Sequence, residues 1–333
     1  MVEGLARRRA GLDDLEERAV DTLGWLAVER QATSLLRHLS ALNASPWYKA
    51  VAPEFARHQA YLEEKLRRAV TELSGLDAVT LASAQRRLGA RLAVMGKGGA
   101  GKTVVSSTLA RLLGRRGHPV LAADLDSNPG LAMSLGLPPT DAGLPIEAVR
   151  QHPGASYGWG LAEGLRPRDV IDRWATHGPD NVRFLGLGKI GASDMGHTRR
   201  SIEALLHVLL NFDDPGWHVI ADMEAGPTTP FENYHAFADD VLVVVGPAWR
   251  SAMTARRLLP LVGDGRRTRI VANRFRGEPD HPGLSPAVRI PFDPAVAEAE
   301  RRGLSPLDAC PDSPTIAAID QLAELFLDQE VPA

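Results

Sequence analysis

The 333-residue chain has a single cysteine, Cys310, so it can build neither a disulfide framework nor a thiolate-only zinc or iron–sulfur site from one copy. Long apolar runs are missing too. Stretches such as Val241–Val245 fall far short of the ~18–20 residues that span a bilayer. There is no excess of basic charge: the net charge of −3 gives no global attraction to nucleic acid or anionic lipid. Arg7, Arg8 and Arg9 are followed by Asp13, Asp14, Glu16 and Glu17 without an apolar core, which predicts no secretory leader and a cytoplasmic protein. Lysine is scarce: of 38 basic residues only Lys49, Lys65, Lys97, Lys102 and Lys189 are not arginine. In so arginine-rich a chain, a retained lysine points to a need for a compact ammonium and not a planar fork.

What is present is an ordinary globular composition, 44% hydrophobic and 24% charged, in a chain long enough for two domains. Residues 1–90 read as an all-helical extension. Leu5, Leu12, Leu15, Ala19, Leu23 and Leu26 recur at helical spacing, and Phe55, Tyr61, Leu62, Leu66 and Val70 do so after a break at Asn43–Pro46. Acidic and basic residues nearly balance there, so the segment is a helical hairpin or a partner-docking module and not a polybasic arm. From Arg91 the pattern changes. Short β-rich runs at 92–95, 119–123, 182–187, 218–222, 240–245, 269–272 and 288–290 alternate with helical stretches near 101–117, 199–212, 249–263, 294–302 and 314–328. That alternation predicts an α/β domain over 91–333 with a mostly parallel, doubly wound sheet. The stretch 138–181, rich in Gly and Pro, reads as an insertion or irregular connection.

The strand Arg91–Met95 runs into Gly96-Lys97-Gly98-Gly99-Ala100-Gly101-Lys102-Thr103 and then, from Val104, into a helix of small and apolar residues. This fits G-x-x-x-x-G-K-[ST] in its strand–loop–helix context, the signature of a P-loop NTPase. Glycines let backbone N–H groups wrap phosphates, and the helix N-terminus adds its positive end. Lys102 is placed to reach the β- and γ-phosphates, and the Thr103 hydroxyl to ligate Mg²⁺. A nucleoside triphosphate is the expected ligand.

With its second lysine at Lys97, this loop resembles the deviant Walker A motif. That motif marks a family of dimeric ATPases containing ParA and MinD, the nitrogenase iron protein, the arsenite and tail-anchored-protein ATPases, and the CooC maturation factors. The resemblance implies a homodimer in which Lys97 crosses to the partner's ATP and acts on the transition state. Ala123-Asp124-Leu125-Asp126-Ser127-Asn128-Pro129 resembles the family's first switch, with Asp126 near Mg²⁺ and the attacking water and Asp124 supporting metal or loop. His218–Asp222 is an apolar strand ending in an acid, as a Walker B carboxylate on Mg²⁺ does, and Asp222-Met223-Glu224-Ala225-Gly226 resembles the second switch of CooC. Asn273, in Val271–Arg274, stands where the family sets an asparagine against adenine. Pro291 and Asp293 resemble its adenine-side loop.

The resemblance covers about 91–325 and departs at two points. Pro227–Phe231 differs from the usual continuation, and the Cys-x-Cys metal pair of CooC has no counterpart. Asp194 and His197, doubled across a dimer axis, are a remaining candidate metal site. Lys189 is a candidate contact to a partner. The implied function is Mg²⁺-dependent ATP hydrolysis that serves a client protein, with residues 1–90 as a candidate docking module. The competing class, a positioning ATPase, would want a basic amphipathic C-terminus or a basic DNA face. Ile316–Asp328 is acidic on its polar side, and the pairs Arg256-Arg257, Arg266-Arg267 and Arg301-Arg302 are scattered, so neither membrane nor nucleic acid is expected. A nucleotide-dependent scaffold with little turnover is the third alternative.

Overall fold

The computed structural model describes residues 89–327, apart from 127–129, 141–142, 152–158, 188–194, 213, 215, 227–233, 263–265 and 278–280. The helical extension expected over 1–90 therefore lies outside the described residues except at its last two positions. Lys189, Asp194, the side chain of His197 and the segment Pro227–Phe231 lie outside them as well.

In chain order the strands are β1 (Arg91–Gly96), β2 (Val120–Leu125), β3 (Val149–Gln151), β4 (Trp159–Leu161), β5 (Thr176–His177), β6 (Val182–Gly186), β7 (His218–Met223), β8 (Asp240–Val245), β9 (Arg267–Phe275) and β10 (Val288–Pro291). Eight of them form one sheet in the order β10-β9-β8-β1-β7-β2-β6-β5, and β3 pairs with β4 in a separate ribbon. Every neighbour in the large sheet is parallel except β5, which runs antiparallel to β6.

Both faces of this sheet are buried, which is why its central strands are written as unbroken apolar runs. Alternate residues go to opposite layers. Leu92, Val94, Leu242 and Val244 pack on one side, and Ala93, Met95, Val241, Val243 and Val245 on the other. The first layer is closed by α1 (Lys102–Arg115), through Val105, Leu109 and Leu113, and by the C-terminal helix Pro314–Leu327, through Ile316, Ile319, Leu322 and Phe326. The second is closed by helices Met195–Asn211, Trp249–Leu258 and Pro167–Trp174. No helix among the described residues is long and apolar enough to cross a membrane.

The chain after β1 crosses to β2, beyond β7, whereas the chain after β7 returns past β1 to β8. The order therefore reverses at β1 and β7, and the carboxyl ends of these strands open the crevice where such sheets bind ligands.

Every strand and helix read from the periodicity is present. The stretch 138–181 is a correction: it holds the β3–β4 ribbon, a helix and the edge strand β5. Strands of two or three residues are too short to show a period. Their order comes from packing, as at Val170 and Ile171, which are fully buried against the second layer.

His218 opens β7 with 3% of its surface exposed, and its Nδ1 accepts the Ala90 N–H at 2.9 Å. Burial, reinforced by the His118 ring 4.8 Å away, pushes its pKa down from 6.5 to about 4. The unfolded chain takes up this proton first, so the stability it confers is complete above pH 6.5 and is lost as pH falls towards 4. His218→Asn keeps an acceptor in place and removes the titration. Chemical unfolding at pH 7 and at pH 4.5 should show wild type losing about 2–3 kcal/mol more than this variant.

Candidate nucleotide site

β1 is apolar through Met95 and then enters the glycine-rich loop. Gly96 has φ +151°, and a Cβ there would lie 2.4 Å from the Val244 carbonyl oxygen of β8. The loop tip closes with the Ala100 N–H donating to the Lys97 carbonyl at 3.0 Å. Gly101 begins α1 at φ +89°, and a Cβ there would stand 2.2 Å from Asn273 Nδ2. Glycine is required at both positions by conformation and by space.

Lys102 and Thr103 open α1, and Lys102 is buried. The Thr103 hydroxyl donates to Asp222 Oδ2 at 2.6 Å, and Ser106, one helical turn on, sets its Oγ 3.3 Å from Asp222 Oδ1. The parallel register brings Asp222 level with Val94 on one side and Asp124 on the other. Burial raises the Asp222 carboxyl to about 7, the Asp124 charge adds to the rise, and the Thr103 hydroxyl and Lys102 ammonium oppose it. Asp124 is raised by burial too. A desolvated carboxylate beside a hydroxyl, with a second carboxylate nearby, is a hard-oxygen donor set that suits Mg²⁺.

Asp124 itself holds the loop. Its Oδ1 accepts the Asp126 N–H at 3.1 Å, and its Oδ2 accepts the N–H groups of Gly130 and Leu131 at 3.1 and 3.0 Å. Of the two supports expected from Asp124, metal or loop, these bonds are loop support. Lys97 sits on the outer rim beside exposed Gly98 and Gly99, with its Nζ 3.4 Å from the Gly98 carbonyl. The Gly226 N–H lies 3.4 Å from the Gly96 carbonyl, so the segment after Asp222 touches the start of the loop.

Next to the loop a groove is lined by Val104, Asn273, Pro291, Phe292, Asp293 and Glu300, among others. Asn273 is buried and its Nδ2 donates to the Ala100 carbonyl at 2.8 Å. Its observed partner is thus the phosphate loop. Asp293 caps the helix Pro294–Arg301, accepting the Ala295 N–H at 2.8 Å and the Ser313 hydroxyl at 2.5 Å. Both carboxylate oxygens therefore already hold protein donors.

The structure gathers Gly96–Val104, Asp126 and Asp222 at one rim, with Asn273, Pro291 and Asp293 in the adjoining groove. Three participants were not singled out as site residues: Ser106, Arg274 and Glu300. Ser106 falls three residues after Thr103 on the same helical face, a spacing that was available to find it. Arg274 and Glu300 meet only in the folded chain.

Residues 92–307 match the CbiA family, described as the CobQ/CobB/MinD/ParA nucleotide binding domain. An uncharacterised ATP-binding protein of Methanocaldococcus jannaschii is 29% identical over 235 residues, 64% of this chain and 89% of that protein. The carbon monoxide dehydrogenase accessory protein CooC of Rhodospirillum rubrum is 30% identical over 242 residues, 66% of this chain and 90% of its own length. The fold is shared with the septum site-determining protein MinD from Pyrococcus horikoshii, solved with Mg-ADP. Its TM-score is 0.53 at 22% identity, over 72% of this chain and 96% of that one. It is shared too with a ParA family ATPase from Chlorobium tepidum, TM-score 0.54 at 20% identity, over 72% and 98%. The chain belongs to the CobQ/CobB/MinD/ParA nucleotide-binding domain family of P-loop ATPases, with a CooC accessory protein among its homologues.

Proposed function

We propose that this chain hydrolyses ATP to ADP and phosphate with Mg²⁺, as a homodimer that closes on nucleotide and drives the maturation or assembly of a client protein. The observation that carries the reading is the Thr103–Asp222 hydrogen bond of 2.6 Å at the mouth of a loop whose glycines leave no room for side chains. Bound there, Mg²⁺ would supply positive charge against the phosphates. Thr103, Asp222 and Asp126 would hold it. Lys102 and the loop N–H groups from Gly96 to Thr103 would hold the phosphates, while Val104, Asn273, Pro291 and Asp293 line the nucleoside side. Asp126, its backbone tied down by Asp124, would orient the attacking water and take its proton. Lys97, on the outer rim, is placed to serve a second copy's nucleotide and not its own.

Two contacts support a conformational output. Gly226 meets the loop's first glycine, and Asp124 fixes the segment that follows Asp126. Loss of the γ-phosphate would be felt by both segments at once. The helical residues 1–90 would dock the client or brace the dimer, and residues 91–333 would form the ATPase domain.

The CooC relative favours maturation over positioning, although a single cysteine rules out a Cys-x-Cys pair in this chain. The helix Pro314–Leu327 supports the same choice. Its apolar face is buried against the sheet and so is not offered to a lipid surface. The cell-positioning and scaffold readings differ from this one in what stimulates turnover.

Lys97→Ala should bind Mg-ATP nearly as wild type does while hydrolysis falls by about 10³-fold, the scale of a lost transition-state charge. Steady-state phosphate release beside calorimetric binding checks this, and normal turnover would defeat the role in trans. Light scattering of Asp126→Ala should give a dimer with ATP and a monomer with ADP. Equal mass in both nucleotides would reject the dimerisation switch.

A further inference from the structure

Strand β9 breaks its own alternation next to the nucleotide loop. Ile290 of β10 pairs with Asn273, but the next residue, Pro291, pairs with Phe275, so Arg274 is an extra residue in a bulge. Its backbone is left-handed, with φ +64°, which an arginine rarely adopts. In a regular strand, neighbouring side chains leave opposite faces. Here Asn273 and Arg274 reach the same loop and hold successive carbonyls. Asn273 donates to Ala100 at 2.8 Å, and Arg274 Nη1 donates to Gly99 at 3.0 Å. The guanidinium is itself anchored from the far side. Its Nη2 contacts both oxygens of Glu300, at 2.8 and 2.6 Å, on the helix Pro294–Arg301.

We propose that Arg274, locked by Glu300, is a positioning residue: a strut that sets the peptide planes of the phosphate loop from its nucleoside side. This rests on the nucleotide reading above. Carbonyl and N–H of a trans peptide point opposite ways. Holding the Ala100 carbonyl outward therefore turns the Gly101 N–H inward, and holding the Gly99 carbonyl keeps the loop tip from rotating away. A planar fork can bind a carboxylate with one edge and a carbonyl with another, which an ammonium does less well. The phosphate cradle is thus pre-shaped, and the strained backbone at Arg274 persists because it aims the side chain.

Arg274→Gly separates this role from a merely structural one, because glycine accepts φ +64° without strain. The melting temperature should equal or exceed that of wild type, while Kd for Mg-ATP and for Mg-ADP weakens about tenfold, the scale of one charge-assisted bond. KM for ATP should rise by a similar factor, with kcat changing less than about threefold. Glu300→Gln should weaken both nucleotides about threefold, since the guanidinium stays but loses its anchor. Lys102→Ala, measured alongside, should abolish binding. Wild type that takes up no Mg-ATP would overturn the nucleotide reading and the strut with it. Tight binding by wild type and equally by Arg274→Gly would overturn the strut alone, as would a fall in affinity that merely tracks a fall in melting temperature.

Discussion

The site depends on one alignment: β1 and β7 lie side by side and parallel, with Val94 level with Asp222. This sets the glycine loop and the acidic strand end at the same height. The first turn of α1 can then present Thr103 and Ser106 to one carboxylate. A slip of one residue would turn Asp222 into an apolar layer and carry the strand's apolar residues out of register. The mixed polar cluster at the crevice is therefore maintained by the two apolar layers beneath it.

The electrostatics of the cluster follow from the same alignment. Asp124 and Asp222 are neighbours across β2 and β7, both buried, and each opposes ionisation of the other. Asp124 relieves its burial through three backbone N–H groups. Asp222 has only hydroxyls and the nearby ammonium, so it is the carboxylate with most to gain from a cation. Two acids of identical type are thus divided between holding a loop and waiting for charge.

Much of this was legible in the sequence, for identifiable reasons. Strands buried on both faces are continuous apolar runs, so Val241–Val245 declares itself, and the phosphate loop is legible because its function is carried by backbone that only glycine permits. Asp222 is visible as an acid closing such a run. What was not legible depends on meetings between distant residues. The bond from Asn273 to Ala100 spans 173 positions. The capping of its helix by Asp293 was hidden behind a nucleoside role taken from resemblance. The Arg274 bulge has no sequence signal, because an arginine gives no sign that its backbone is left-handed. The ribbon and edge strand within 138–181 are ordered by packing and not by any period of their own.

The limits of the sheet carry a last consequence. One edge is β5, two residues long and antiparallel. The other is β10, four residues ending in Pro291, whose carbonyl accepts the Thr315 hydroxyl at 2.9 Å from the helix packed against it. Such edges offer little template for strand addition, so copies gain little by extending the sheet sideways. Recognition between copies is left to the loop-bearing rim, where Lys97, Gly98 and Gly99 are displayed. On this scaffold the surface that counts its neighbours is the surface that senses phosphate, which joins stoichiometry to nucleotide state without a separate relay.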